Sequence, residues 1–204
     1  MPRKYVDPAD RRARHAAVDD PAVVMEAAAA FLAVRPRSVD ETRRRLRHHG
    51  YQPALVDGVL ERLVEMGYLD DEGFARAWVE SRDRARPRGE MALRRELSMK
   101  GIDRETIRKV LAGRAEGSVE AASPDEGATS HVARTATRDE GLTVSPEIGA
   151  AARLLQRRRA ALLGVTDPRQ RRQKAYALLA RNGFAPDICQ EASAAFDIGP
   201  ADAE

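Results

Sequence analysis

The chain is poor in the residues that build sheets and cross-links. Only 4% of its 204 residues are aromatic, with a single Trp. β-Branched residues are also scarce beside Ala, Leu, Arg and Glu, which disfavours an all-β fold and favours helices. One cysteine, Cys189, excludes an intramolecular disulfide framework and leaves too few thiols for a structural zinc site. No run approaches the roughly 20 apolar residues of a membrane helix, and the N-terminus has no apolar signal region, so a cytoplasmic protein without membrane partners is expected. The Gly-rich phosphate loop, the G-x-S-x-G elbow and the H-E-x-x-H pair are all missing. No catalytic, cofactor-binding or metal-binding set remains, and a non-enzymatic role without cofactor is expected.

Arginine is what the chain has in excess. Of 35 basic residues only Lys4, Lys100, Lys109 and Lys174 are lysines, against 32 acids and a net charge of +3. Guanidinium groups bind phosphate and carboxylate bidentately, so such a surface suits nucleic acid or an acidic protein. A GC-rich genome would produce the same bulk composition, and only position separates the two explanations.

Residues 1–20 mix Arg, Asp and Pro without apolar periodicity and read as a disordered arm. Structure is expected to begin at Asp20-Pro21, an N-cap with proline at the first helical position. Val23, Val24, Ala27, Ala28, Phe31 and Leu32 return at helical spacing before Pro36. Ser38 to Glu41 forms a capping box, opening a helix with Val39, Thr42 and Leu46 inward and ending at Gly50. A third helix from Pro53 carries Leu55, Val56, Val59, Leu60, Leu63 and Met66 to Gly67. The same grammar returns downstream. Asp70 or Asp71 caps a helix with Phe74, Ala77, Trp78 and Ser81; Met91, Leu93 and Leu97 lead to Gly101; Asp103 caps Ile107, Val110 and Leu111. Ser145-Pro146 opens a helix through Ile148, Ala152, Leu155 and Leu162. Asp167-Pro168 leads through Tyr176 and Leu179 to Gly183, and Pro186 starts a last helix with Ile188, Ala192 and Phe196.

Three helix–helix turns superpose: Leu46 to Gly50-Tyr51, Leu97 to Gly101-Ile102, and Leu179 to Gly183-Phe184. Each places Gly four residues after Leu and a large apolar residue next, as a left-handed C′ glycine followed by a hydrophobic back-contact requires. Three copies make an internal repeat. The fold expected is all-α, three tandem three-helix repeats (21–67, 68–112 and 146–197) in an elongated array. The glycines are 51 and then 82 residues apart, so 31 residues are inserted between the second and third repeats. Residues 113–145, with net charge −3, fit a flexible acidic linker, and 198–204 an acidic tail.

Outside the linker the charge is concentrated. Residues 37–50 carry +3, 82–109 carry +5 and 153–174 carry +7, while 185–204 contain no Lys or Arg. Recurrence in successive repeats suits a linear polyanionic or filamentous partner. The other chemistry-bearing residues read as structural. His48-His49 closes a helix, where partial protonation complements the dipole, and His15 and His131 fall in expected disorder. Cys189 reads as a buried small hydrophobe, and Asp70-Asp71 as N-capping.

Phe31-Leu-x-x-Arg35-x-Arg37-Ser38, with Glu41, Leu46 and Gly50-Tyr51, resembles the first repeat of the RecX family, bacterial regulators of the RecA recombinase. Gly67-Tyr68-Leu69-Asp70-Asp71-x-x-Phe74-Ala75-Arg76-x-Trp78-Val79 is its most specific signature. Pro87-x-Gly89 and Leu93-x-x-Glu96-Leu97-x-x-Lys100-Gly101-Ile102 complete the second repeat. Lys174-Ala-Tyr176-x-x-Leu179-x-Arg181-x-Gly183-Phe184 matches the third. The resemblance implies an elongated, curved array of the three repeats, lying in the groove of the RecA–single-stranded-DNA filament. It would restrain recombinase, ATPase and coprotease activities. The inserted segment departs from the family pattern and would let the third repeat move independently.

On charge and placement, the contact residues for filament and DNA are expected to be Arg43, Arg44, Arg47, Arg82, Arg86, Arg94, Arg95, Arg157, Arg158 and Arg172. Arg82, Arg86, Arg94 and Arg95 are expected to form one stripe. Tyr68, Leu69, Phe74, Trp78 and Leu97 are expected in the core, and the chain is expected to be a monomer with weak direct DNA binding. An autonomous helix-turn-helix DNA-binding protein is the rival reading. A helical scaffold for another acidic protein is a third.

Overall fold

The computed structural model describes residues 7–117 and 145–197; the acidic tail and most of the expected linker lie outside them. Among the described residues there are eleven helices and no strand. They are α1 (Pro8–Ala16), α2 (Pro21–Leu32), α3 (Val39–His49), α4 (Pro53–Glu65), α5 (Asp71–Ala85), α6 (Glu90–Met99), α7 (Arg104–Gly117), α8 (Pro146–Arg157), α9 (Arg159–Leu163), α10 (Pro168–Arg181) and α11 (Pro186–Asp197). They group into two compact units, Met1–Glu80 with Arg94–Arg108, and Ser81–Leu93 with Lys109–Glu204.

Local chemistry sets the helix starts. The Asp20 carboxylate accepts from the Ala22 N–H at 2.8 Å, Ser38 Oγ from Glu41 at 3.0 Å, Asp103 from Thr106 at 2.9 Å and Asp167 from Arg169 at 3.0 Å. Each cap satisfies a first-turn N–H that has no partner within the helix, worth about 1 kcal/mol. Of the two aspartates before α5, Asp70 is the cap, accepting from Glu72 and Gly73 at 3.0 Å. Asp71 instead accepts from the Val39 N–H at 2.9 Å, which opens α3.

The three glycine turns share one hydrogen-bond pattern. The residue after each glycine donates to the carbonyl of the leucine four residues before that glycine: Tyr51 to Leu46 at 3.4 Å, Ile102 to Leu97 at 3.2 Å, and Phe184 to Leu179 at 3.3 Å. The glycines sit at φ 100°, 79° and 81°, the left-handed region that disfavours any side chain. All six flanking apolar residues are buried. Gly67 makes a fourth such turn, with Tyr68 donating to Leu63 at 2.9 Å. Here the residue after glycine points outward: Tyr68 is 69% exposed and Leu69 takes the core position, which corrects the expected placement of Tyr68.

In the first unit, Val24, Ala28, Leu46, Tyr51, Val56, Val59, Leu60, Leu63 and Leu69 form one core. In the second, Ala150, Ala151, Leu155, Leu162, Ala175, Leu179, Phe184, Ile188, Cys189 and Ala192 form another. Ala151 rather than Ala152 faces that core. Cys189 is fully buried, and burial, then the neighbouring Glu147 and Asp187, hold its thiol above the ordinary range, making it a poor nucleophile.

Three other expectations are corrected. Residues 8–16 of the expected disordered arm form α1, capped by Asp7, whose carboxylate accepts from Ala9 at 2.9 Å. No residue of α1 is buried, so its stability comes from contacts with distant chain: Arg12 Nε donates to the His48 carbonyl at 3.1 Å and Gln52 Nε2 to Ala16 at 3.0 Å. Helix α7 continues into the expected linker as far as Gly117, because Arg114 Nε donates to Asp83 at 2.9 Å. The single helix expected from Pro146 through Leu162 breaks at Arg158, whose N–H bonds the Leu155 carbonyl at 3.0 Å.

Candidate functional site

The basic helices divide into arginines held by acids and arginines left to the surface. On α3, Arg43 Nε donates to Asp57 of α4 at 3.1 Å, and Arg47 Nη2 reaches both oxygens of the same carboxylate at 3.2 and 2.9 Å. Those two guanidinium groups, hydrogen-bonding Arg43 foremost, hold the Asp57 carboxyl below its usual range. Arg44 Nε pairs with Asp40 at 3.0 Å, and its Nη2 donates to the Met99 carbonyl at 3.2 Å. The expected contact residues of repeat 1 therefore also tie α3 to α4 and to the end of α6.

That last connection belongs to a buried polar junction inside the first unit. Ser38 Oγ, fully buried, donates to the Lys100 carbonyl at 2.6 Å while capping α3. Lys100 Nζ bonds Glu41 at 2.6 Å and lies 4.7 Å from the centre of the Trp78 ring. Trp78 Nε1 donates to Glu96 at 2.8 Å, and the ring stacks on Phe74 at 6.1 Å. Trp78 is thus half-buried with a polar handle, not enclosed as expected. Burial opposes ionisation of Glu41, but the Lys100 hydrogen bond and charge, with Arg35, bring its carboxyl below the ordinary range. Asp71 goes the other way: burial, with Asp103, Asp70 and Asp40 nearby, raises it despite the Val39 N–H. The capping box is half-realised: Glu41 turns its carboxylate to Lys100.

In the second unit the α6 N-terminus docks on the Gly183 turn. Gly89 donates to the Asn182 carbonyl at 3.1 Å, Met91 to Gly183 at 3.2 Å, and Arg88 Nη1 to Asn182 Oδ1 at 2.9 Å. The Glu147 carboxylate of α8 accepts from the Glu90 N–H at 2.9 Å, where the helix dipole favours negative charge. Arg157, expected as a contact, donates to the Arg84 carbonyl at 2.6 Å and to the Ala85 carbonyl, closing the end of α5.

The remaining expected arginines divide between the units. Arg82 and Arg86 lie in the second and Arg94 and Arg95 in the first. Arg86, Arg95, Arg158 and Arg172 are exposed and form no ion pair among the described residues. Sequence reasoning missed Arg45, exposed on α3 with its guanidinium 5.4 Å from the Phe31 ring centre. It also missed His15, expected in disorder, which hydrogen-bonds the His49 carbonyl through Nδ1 at 2.8 Å and stacks on Tyr51 at 4.4 Å. Desolvation, then Arg45, His15, His48 and Arg11, lower the His49 imidazole below the ordinary value, which opposes the partial protonation expected at this helix end. No cluster of three or more His, Cys, Asp or Glu able to hold a metal occurs among the described residues.

Family models for the three three-helix domains of RecX match this chain in order, the first over residues 25–63, the second over 70–111 and the third over 147–192. The chain belongs to the RecX family. The regulatory protein RecX of Mycobacterium sp. (strain JLS) is 44% identical over 82 residues, which cover 40% of this chain and 45% of that one. That of Mycobacterium ulcerans (strain Agy99) is 35% identical over 113 residues, covering 55% of this chain and 62% of the relative. The matched part thus spans about half the length of these relatives. The crystal structure of RecX from Lactobacillus salivarius superposes with a TM-score of 0.66 at 17% identity, covering 88% of this chain and 97% of that one, which shows a shared fold. The first RecX domain falls on α2–α4, the second on α5–α7 and the third on α8–α11. The protein is a member of a family of regulators, and no helix among the described residues is long and apolar enough to cross a membrane.

Proposed function

We propose that the protein lies in the groove of the RecA–single-stranded-DNA filament and restrains RecA recombinase, ATPase and coprotease activities. The observation supporting this reading is the recurrence of outward arginines on the matched domains: Arg86 and Arg95 in the second, Arg158 and Arg172 in the third. Guanidinium edges without internal acids suit DNA phosphates and acidic protein surface. Arg43, Arg44, Arg47 and Arg157 join the contact set, giving their outer edges to the filament while their inner contacts fix the helices, and Arg82 and Arg94 complete it. Low aromatic content makes phosphate contact, not base stacking, the main attachment. The protein acts as a monomer in the cytoplasm, with weak DNA binding of its own.

The testing experiment titrates this protein into cognate RecA on single-stranded DNA, following ATP hydrolysis and strand exchange. Inhibition at sub-stoichiometric to stoichiometric ratios is expected, without tight sequence-specific duplex binding in the absence of RecA. Specific duplex binding with no effect on RecA would establish the helix-turn-helix rival instead.

A further inference from the structure

Helices α1, α2 and α3 of the first unit enclose a groove of about 380 Å³. Its floor is apolar, made by Ala27, Ala30, Phe31 and Leu46, and Val34, 76% exposed, lies at its edge. Arg11 and His15 of α1 and Arg45 and His49 of α3 supply its polar groups, and no acidic side chain among the described residues lines it. Arg11 and Arg45 form no ion pair among the described residues. Beside the groove the Arg37 guanidinium lies 4.2 Å from the Phe31 ring centre, with its buried Nε unpartnered. Burial, then the like charge of Arg35, lower the Arg37 pKa; Glu41 opposes this and Arg45 reinforces it. Among the described residues Glu41 is the acid facing that cluster, and its carboxylate is shared between Arg35 at 3.5 Å and Lys100 at 2.6 Å. Like charges in excess of the one carboxylate they share repel, and an arriving anion relieves them.

The shape selects the kind of anion. A nucleobase stacks on an open aromatic face, but guanidinium groups already occupy the vicinity of Phe31, and the buried Tyr51 ring is stacked on His15 at 4.4 Å. Methyl-walled space takes an aliphatic side chain, and guanidinium edges take carboxylates in bidentate pairs. We propose that this groove docks an acidic polypeptide segment, one apolar side chain seated against Ala30, Phe31 and Val34, with flanking Asp or Glu carboxylates on Arg11 and Arg45. None of these residues belongs to the proposed filament contact set, so the groove stands or falls separately from that reading.

The test is fluorescence anisotropy on the full chain with two dye-labelled peptides of equal negative charge. Both are rich in Asp and Glu; one carries leucines at helical spacing, the other serines in their place. Unlabelled oligodeoxythymidylate serves as competitor. The leucine peptide is expected to bind about tenfold or more tightly than the serine peptide, and the oligonucleotide not to displace it. Arg45→Glu and Val34→Asp, both at exposed positions, are each expected to weaken it by about tenfold with an unchanged thermal midpoint. Ala30→Lys, which fills the groove from an exposed site, gives the same loss. Absence of leucine-peptide binding, equal binding of the two peptides, full binding by the variants, or displacement by the oligonucleotide would each overturn the proposal.

Discussion

The Ser38 hydroxyl donates to the carbonyl oxygen of Lys100 at 2.6 Å across sixty-two residues of sequence, and accepts from the Glu41 N–H at 3.0 Å. One buried side chain therefore starts α3 and closes α6. Ser38→Ala leaves both partners unmatched in a site closed to water, and is expected to cost about 1–3 kcal/mol in urea denaturation. A loss below roughly 0.5 kcal/mol would contradict the junction's role.

Glycines in this fold separate by what a methyl group would meet. At Gly183, φ 81°, an added Cβ would lie 2.5 Å from the Ala92 Cβ; at Gly50, φ 100°, it would lie 2.7 Å from the Arg12 carbonyl oxygen. Gly183→Ala is expected to destabilise by about 2 kcal/mol or more. Gly58 lies within α4 with no atom inside 4 Å of an added Cβ. Gly58→Ala should stabilise by about 0.5–1 kcal/mol on helix propensity alone. Thermal melts of both variants, shifting in opposite directions, check the pair.

Glu41 and Asp71 respond to acid with opposite signs. Because the folded-state pKa of Glu41 is depressed, its contribution is present above the unfolded value and lost as pH falls through the folded value. Glu41→Gln should therefore lower stability at neutral pH and flatten the acid limb. Asp71 is raised, so its contribution is present below the unfolded value and lost as pH rises through the folded value. Asp71→Asn, keeping an acceptor for Val39, should gain relative to the native chain at neutral pH and not at low pH. Denaturation midpoints from neutral to acidic pH measure both.

Arginines in ion pairs and arginines facing solvent should separate stability from function. Arg95→Glu with Arg172→Glu is expected to leave the thermal midpoint nearly unchanged, since exposed charges contribute within about 0.5 kcal/mol. The same pair should weaken RecA inhibition, with a shallower salt dependence if phosphate contacts are lost. Arg114→Ala should instead destabilise, because it leaves the Asp83 carboxylate without its 2.9 Å partner.

The repeat was legible because its signals are local. Leu97, Gly101 and Ile102 lie within one turn of each other, and the cap, the left-handed glycine and the apolar back-contact all read from adjacent residues. What distant chain decides was not. Helix α1 has no buried residue, so no periodicity announces it, and it is held by groups some thirty-five residues away. The pairing of Arg43 and Arg47 depends on Asp57 in the next helix, and that of Arg114 on Asp83 two helices back. Net charge counted along the sequence registers arginines, but not which of them already have a carboxylate. The family motif did contain Phe31, Arg35 and Arg37; their gathering with Arg45 needed the fold.

The central claim is regulation of RecA, and the most direct measurement is the rate of single-stranded-DNA-dependent ATP hydrolysis by the cognate RecA as this protein is added. The rate is expected to fall before equimolar protein is reached, and Arg95→Glu with Arg172→Glu to move that fall to higher concentration. An ATPase rate unchanged at equimolar protein, on preformed and on growing filaments alike, would contradict the account.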